Sequence, residues 1–197
     1  MLIGIHGKAG VGKDLAAAIL IGQHGGRRFA FADPVREIAA TLFALDPSDF
    51  QTQEQKQMRE EYWGMSRRYM LQLVGTEMVR EVVGKDHWIK LMDLRRHLNQ
   101  YASHHYITDC RFDNEIQYVL DAGGFILHIE SNSRSSIKYA SSEAAHASEK
   151  ALDMSAAIKY NRYCHIQNDG TMDVYRNQVL DAYDTFESIK RREGEIK

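Results

Sequence analysis

Cysteine is almost absent from this chain. Cys110 and Cys164 are its only two, far apart in sequence. That usage argues against a disulfide framework and suits a reducing compartment, with a single bridge between the two left open. The nine histidines have no zinc-type spacing with cysteine, and adjacent His104 and His105 would point to opposite faces of a strand, so no shared metal is expected there. Charge of one sign is also lacking: 25 basic against 27 acidic residues give a formal net charge of −2. This excludes a global attraction to nucleic acid or an anionic membrane, and any phosphate must be held by local groups. No apolar run approaches the ~20 residues needed to span a bilayer. The opening apolar run is too short for a signal core and has no charged leader, so a cytoplasmic location is expected. Repeats and low-complexity tracts are missing too.

What is present suits a single domain over residues 1–197, 44% hydrophobic and 26% charged. The most informative stretch follows Leu2–Ile5: Gly7-Lys8-Ala9-Gly10-Val11-Gly12-Lys13-Asp14, which fits the G-x4-G-K pattern of a P-loop. The three glycines let the backbone coil tightly and approach a ligand closely. Amide groups and the positive end of the following helix dipole would converge on a polyphosphate, with Lys13 reaching the β- and γ-phosphates as a point charge. Asp14 replaces the usual Ser or Thr and can hold Mg²⁺ directly or through water.

The alternation of apolar strands with amphipathic helices predicts a parallel sheet with helices on both faces. Strands are expected at Leu2–His6, Arg28–Ala32, His105–Thr108, Phe125–Ile129 and Tyr163–Ile166. Helices are expected from Lys13 to about Gln23, from an Asp33 N-cap with Pro34 at the first position, over Ser66–Val83, Trp88–Asn99 and Asp113–Ala122, and from Thr171 to about Arg192. Val35, Ile38, Ala39, Leu42 and Phe43 form one helical stripe. Asp46-Pro47-Ser48-Asp49 reads as a turn and Gln51–Glu61 as a solvated helix. The region 46–100 is helical and suited to substrate binding; the serine-rich segment 131–150, with Arg134 and Lys138, reads as a lid.

Open α/β sheets bind ligands at the carboxyl ends of their strands. Arg36, at a helix N-terminus after the second strand, is unfavourable to the helix dipole and hints at an anionic ligand. Asp109 at the end of a core strand is placed to hold Mg²⁺ or its waters, and Arg111 to fork onto a phosphate, with Asp113 and Glu115 close behind. Arg68, Gln72 and Thr76 recur every four residues on a helical face beside Gly75. Trp88 reads as core packing or a base-stacking platform, the former favoured by pattern. Asn168-Asp169-Gly170 is a turn, and His146-Ala147-Ser148-Glu149 a weak helix start.

In order and spacing these positions resemble the deoxynucleoside monophosphate kinases of tailed bacteriophages, a branch of the P-loop nucleoside monophosphate kinases. The likeness covers nearly the whole chain, apart from residues 46–66 and the serine-rich segment. It implies a three-layer α/β/α sandwich on a five-stranded parallel sheet with a lid and helical substrate-binding insertion. It also implies Mg²⁺-dependent transfer of the γ-phosphate of ATP to a dNMP, and a homodimer. ATP would lie on Lys8, Ala9, Gly10, Val11, Gly12, Lys13 and Asp14, with its adenine near Asn168, Gly170 and Thr171. The dNMP phosphate would be held by Arg36, Arg68 and Arg111, with Val35, Gln72, Gly75, Thr76, Trp88, Asp109 and Glu115 completing its site. Lys13, Arg68, Asp109 and Arg111 are the expected catalytic residues, and Asp14 and Asp109 the metal ligands. Rival readings are a dephospho-coenzyme A or phosphomevalonate-type kinase and an ATP-binding regulatory module.

Overall fold

The computed structural model describes residues 1–133 and 154–195. The lid-like segment, with Arg134 and Lys138, and the His146-Ala147-Ser148-Glu149 element therefore lie outside the described residues, save for 131–133. The chain forms two compact units, Met1–Phe29 with Asn99–Lys197, and Ala30–Leu98.

The first unit is built on a five-stranded parallel sheet. Its strands are β1 (Leu2–His6), β2 (Arg27–Phe29), β5 (His105–Cys110), β6 (Phe125–Glu130) and β7 (Tyr163–Gln167), in the order β2-β5-β1-β6-β7. Helices α1 (Lys13–His24) and α8 (Met172–Glu195) cover one face. There Ile3, Ile5, Phe125, Leu127, Ile129 and Ile166 pack with Ala16, Ala17, Leu20, Val179, Ala182 and Phe186 in one buried cluster. Helix α6 (Asp113–Asp121) covers the other face, so close at Gly4 that a Cβ there would lie 3.0 Å from Val119 Cγ2. Burial on both faces explains why β1 and β6 read as unbroken apolar runs rather than alternating ones. The short helix α7 (Ser155–Lys159) precedes β7. This is the three-layer α/β fold on a five-stranded parallel sheet expected of a P-loop kinase.

Several boundaries differ from expectation. Strand β2 ends at Phe29, and β5 runs on to Cys110, which places Asp109 inside the strand. Both changes follow from ladder pairing, which local pattern does not specify.

The second unit is mostly helical. Helix α2 (Ala32–Phe43) begins at Phe31 with no side-chain cap; Asp33 does not cap it, because its carboxylate pairs with Arg36 one turn on. The expected apolar stripe divides: Val35, Ala39 and Phe43 are buried, whereas Ile38 and Leu42 are exposed. The Asp46–Asp49 turn is the start of a 3₁₀ helix, Pro47–Phe50, closed by a reciprocal capping box between Asp46 and Asp49. Where one solvated helix was expected, α3 spans only Gln53–Gln57, and a small antiparallel hairpin follows, β3 (Arg59–Glu60) and β4 (Met65–Ser66). The Ser66–Val83 helix is α-helical only as α4 (Arg67–Gln72), capped by Ser66 accepting from the Tyr69 amide. It then widens into a π-helical stretch, Leu73–Val83, whose last hydrogen bond runs from the Gly84 amide to Val79. Helix α5 (His87–His97) completes the unit.

Candidate active site

Because all five strands are parallel, their carboxyl ends lie along one edge of the sheet. That edge gathers the loop after β1, Asp109 and Arg111 at the end of β5, Ser131–Ser133 after β6 and Asn168–Thr171 after β7. The glycine loop is built as its composition demands. Gly7, Gly10 and Gly12 all have positive φ (147°, 81° and 108°). A Cβ on Gly7 would sit 2.2 Å from the Ile129 carbonyl oxygen, and one on Gly12 would sit 2.8 Å from Asn168 Nδ2. No side chain larger than hydrogen fits at either place.

Gly12 is also the N-cap of α1 and brings no side-chain acceptor. The first-turn amides of the helix therefore keep their hydrogen-bonding capacity for an anion. Lys8, Ala9 and Gly10 are exposed on the loop, whereas the Val11 side chain is buried in the core. Of Val11, then, only the backbone can serve a ligand.

Lys13 Nζ donates to the carbonyls of Gly7 and Lys8, each at 2.7 Å, so the ammonium rests on its own loop. Burial, and then the positive charge of Arg111, pull its pKa down to about 8; Asp109 and Asp14 act the other way. These four groups thus form one charge cluster at the loop. Burial would raise the Asp14 carboxyl, but the hydrogen bond and charge of Arg28 outweigh it, helped by the Thr108 hydroxyl and Lys13, and hold it below its usual range. The Arg28 Nε–Asp14 Oδ1 distance is 2.9 Å. Burial likewise lowers His6, the last residue of β1, so its imidazole is neutral at physiological pH.

Arg111 is set by a residue whose role differs from expectation. Glu115 is 2% exposed. Its carboxylate accepts from the Arg111 amide at 2.8 Å and the Phe112 amide at 3.2 Å. It therefore fixes the β5–α6 turn from which Arg111 projects.

Asn168 also acts on the loop, at a site where adenine contact was expected. Its side chain is wholly buried and its Nδ2 donates to the Val11 carbonyl at 2.8 Å, while the Tyr175 hydroxyl donates to Gly12 at 2.9 Å. Together they brace the loop from α8 and the β7 turn. The neighbouring Asp169 does more than turn the chain. Its Oδ1 accepts from the Asn132 and Ser133 amides and from the Ser131 and Ser133 hydroxyls at 2.8–3.0 Å. These bonds, with one from Gln167, hold its carboxyl far below the ordinary range. Gly170 packs against Val174, and Thr171 Oγ1 accepts from the Val174 amide at 3.4 Å at the start of α8.

In the second unit, Arg36 is ion-paired with Asp33, which offsets the dipole conflict seen in the sequence. Arg68 Nη2 donates to Gln53 Oε1 at 2.8 Å, and Gln72 Nε2 lies 3.5 Å from Glu77 Oε1. The i, i+4, i+8 row holds only from Arg68 to Gln72: Thr76 lies in the π-helical stretch, where the wider turn takes it off that row. Gly75 does permit close approach, its Cβ position lying 3.2 Å from Val35 Cγ1. Trp88 is 3% exposed and donates from Nε1 to the Gly75 carbonyl at 2.8 Å, the packing role of the two open in the sequence. Arg67, next to Arg68, is structural: it bonds Glu60 at 2.6 Å and Asp49 at 3.1 Å. Nothing in their sequence order distinguishes these two arginines.

Thr108, Arg28 and Tyr175 carry no motif and are found only through the fold. Among the described residues no helix is long and apolar enough to cross a membrane.

Comparison with known proteins agrees with this geometry. A protein of Acanthamoeba polyphaga mimivirus named "Putative deoxynucleotide monophosphate kinase" is 29% identical over 196 residues, spanning 93% of this chain and 96% of its own. The family model for deoxynucleotide monophosphate kinase matches residues 44–179, well over half the chain and including Arg68, Asp109, Arg111 and Asn168. With a glycine loop, a lysine and an arginine–aspartate pair already at one sheet edge, the chain belongs to the deoxynucleotide monophosphate kinase family.

Proposed function

We propose that the protein transfers the γ-phosphoryl group of ATP to a deoxynucleoside monophosphate, giving ADP and dNDP. The observation that carries this reading is a loop too tight for any residue but glycine, with the Lys13 ammonium folded onto its carbonyls and Asp109 and Arg111 at the end of the neighbouring strand β5. In-line phosphoryl transfer asks little covalent chemistry of the protein; it requires positioning and neutralisation of charge. The acceptor is a phosphate monoester with a second pKa near ~6, largely dianionic at neutral pH, so no general base is needed.

Lys13 exchanges its two carbonyl partners for phosphate oxygens, and Arg111 neutralises charge on the transferring group. Arg36, Arg68, Gln72 and Thr76 are assigned to the acceptor on the family resemblance, with Gly75 and Trp88 supporting their unit from within. Asp109 and Asp14 would hold the magnesium that accompanies the nucleotide, and the ion would supply positive charge against the phosphates. Asp109 and Asp14 suit a hard cation that keeps several waters, with Asp14, already paired to Arg28, acting through one of them. Adenine is assigned to the exposed Gly170 and Thr171 rather than to the buried Asn168. The homodimer implied by the resemblance belongs to this reading and is checked by light scattering on the eluting protein.

The test is ADP release from ATP–Mg²⁺ with each of the four deoxynucleoside monophosphates and their ribose counterparts. Turnover with at least one deoxynucleotide is expected. Turnover only with dephospho-coenzyme A or phosphomevalonate, or ATP binding without transfer, overturns the reading.

A further inference from the structure

Three side chains with no part in phosphate binding converge near the carboxyl ends of β6 and β7. His128 and His165 are register partners in these adjacent parallel strands and share one face of the sheet. Glu130 follows His128 by two residues and lies on that face as well. One nitrogen or oxygen from each lies within 4.8 Å of the other two. Glu130 stands between the imidazoles: its Oε2 is 3.1 Å from His165 Nε2 and its Oε1 is 3.6 Å from His128 Nε2.

A second feature orients this trio. The Tyr163 hydroxyl lies 2.7 Å from His128 Nδ1, which fixes the ring and leaves Nε2 turned toward Glu130. Imidazoles that bind metal are held in this manner, one nitrogen on an oxygen partner and the other on the ion. His6, the partner of His128 on β1, continues the row at a ring distance of 4.8 Å, but its Nδ1 is engaged with the Cys110 carbonyl at 2.9 Å.

We propose that His128, Glu130 and His165 bind a divalent cation of the zinc class through two imidazole nitrogens and one carboxylate oxygen. Magnesium and calcium favour all-oxygen sets, whereas a set of two imidazoles and one carboxylate suits zinc or a neighbouring transition metal. Three protein ligands leave a fourth tetrahedral position for water. Metal–ligand bonds of about 2.0–2.2 Å require the three atoms to draw together. The half-exposed Glu130 and His165, 56% and 40% accessible at the side chain, have the freedom to do so. The ion joins edge strand β7 to β6 and does not depend on the kinase reading.

The test uses the full chain without nucleotide, so the phosphate loop does not contribute. Equilibrium dialysis against zinc chloride, followed by metal analysis, is expected to give about one zinc per chain. Excess magnesium should not displace it. His165→Ala and Glu130→Gln, at accessible positions, should abolish this uptake, and Tyr163→Phe should weaken it by about 10–100-fold. Zinc should raise the unfolding temperature of the wild type and not of these variants. Cobalt(II) should give the intense visible bands of a four-coordinate site, a readout that stands even if a variant fails to fold. No zinc retained by the wild type, equal uptake by folded variants, displacement by magnesium, or a weak octahedral cobalt spectrum overturns the proposal.

Discussion

The two units of this protein place their polar groups by different means. In the sheet-bearing unit, position follows from topology. Parallel strands carry the loop after β1, Asp109 and Arg111 to one edge, and an apolar core shared with α1 and α8 holds those strands. In the Ala30–Leu98 unit the stretch from Asp46 to Ser66 is a run of short elements, and side chains hold its backbone instead. Asp46 with Asp49, Thr52 with Gln55, and Ser66 cap successive turns, while nearly buried Arg67 ties Glu60 to Asp49. A residue proposed to bind ligand is thus secured by the sheet in the first unit, whereas one in the second depends on neighbouring caps and ion pairs.

The largest effect that would sharpen this contrast is Lys13→Ala. It should lower kcat by about 10³-fold with the fold intact by circular dichroism, because both hydrogen bonds of the ammonium go to carbonyls of its own loop. Retained activity, or unfolding, would break the comparison on the first unit's side. Next comes Arg67→Ala, expected to cost about 2–3 kcal/mol in urea unfolding. It strands two carboxylates, though their partial exposure keeps the loss below that of a fully buried pair.

Arg68→Ala, one residue along, should leave stability nearly unchanged and raise KM for the dNMP about tenfold, or ~1.4 kcal/mol, without altering that for ATP. Should Arg68→Ala destabilise as much as Arg67→Ala, the division between structural and ligand-binding arginines fails.

A pH profile probes the loop without mutation. Lys13 titrates near 8 in the free protein and loses its charge above that value. The kcat/KM for ATP, which reports the free enzyme, should therefore fall on the alkaline side with a midpoint near 8. A flat profile up to the ordinary lysine range would mean that burial, with Arg111 beside it, does not depress Lys13. Smallest is Tyr175→Phe, which removes one hydrogen bond to Gly12 and should cost about 1 kcal/mol of stability.

Much of the fold was legible because its signals are local. Strand β1, helix α1 and the glycine loop follow from an apolar run, a helical period and three glycines. The 46–66 region was misread for the opposite reason. Its polar residues suit a solvated helix on pattern alone. Instead a Thr52–Gln55 capping box opens α3, the chain turns extended at Met58 after little more than a turn, and Arg67 ties down the hairpin that follows through Glu60. The site divides in the same way. Lys13, Asp14, Asp109 and Arg111 announced themselves by following strands. Glu115, Asn168 and Trp88 were noticed for the right neighbourhood, but their roles, bracing a turn, a loop and a helix, depend on which atoms burial left without water.

From residue order alone came the phosphate loop and the alternation of strand and helix, which need only neighbours within a few positions, and the family likeness, which needs only the order and spacing of short motifs along the chain. Folding settled what touches what at long range: Asn168 on the Val11 carbonyl and Tyr175 on that of Gly12, the carboxylate of Asp169 on Ser131–Ser133, and His128 beside His165. Pairing register sets the last of these, because a shift of one residue between β6 and β7 would turn His165 to the face of the sheet opposite His128; the others depend on where the loops and α8 pack.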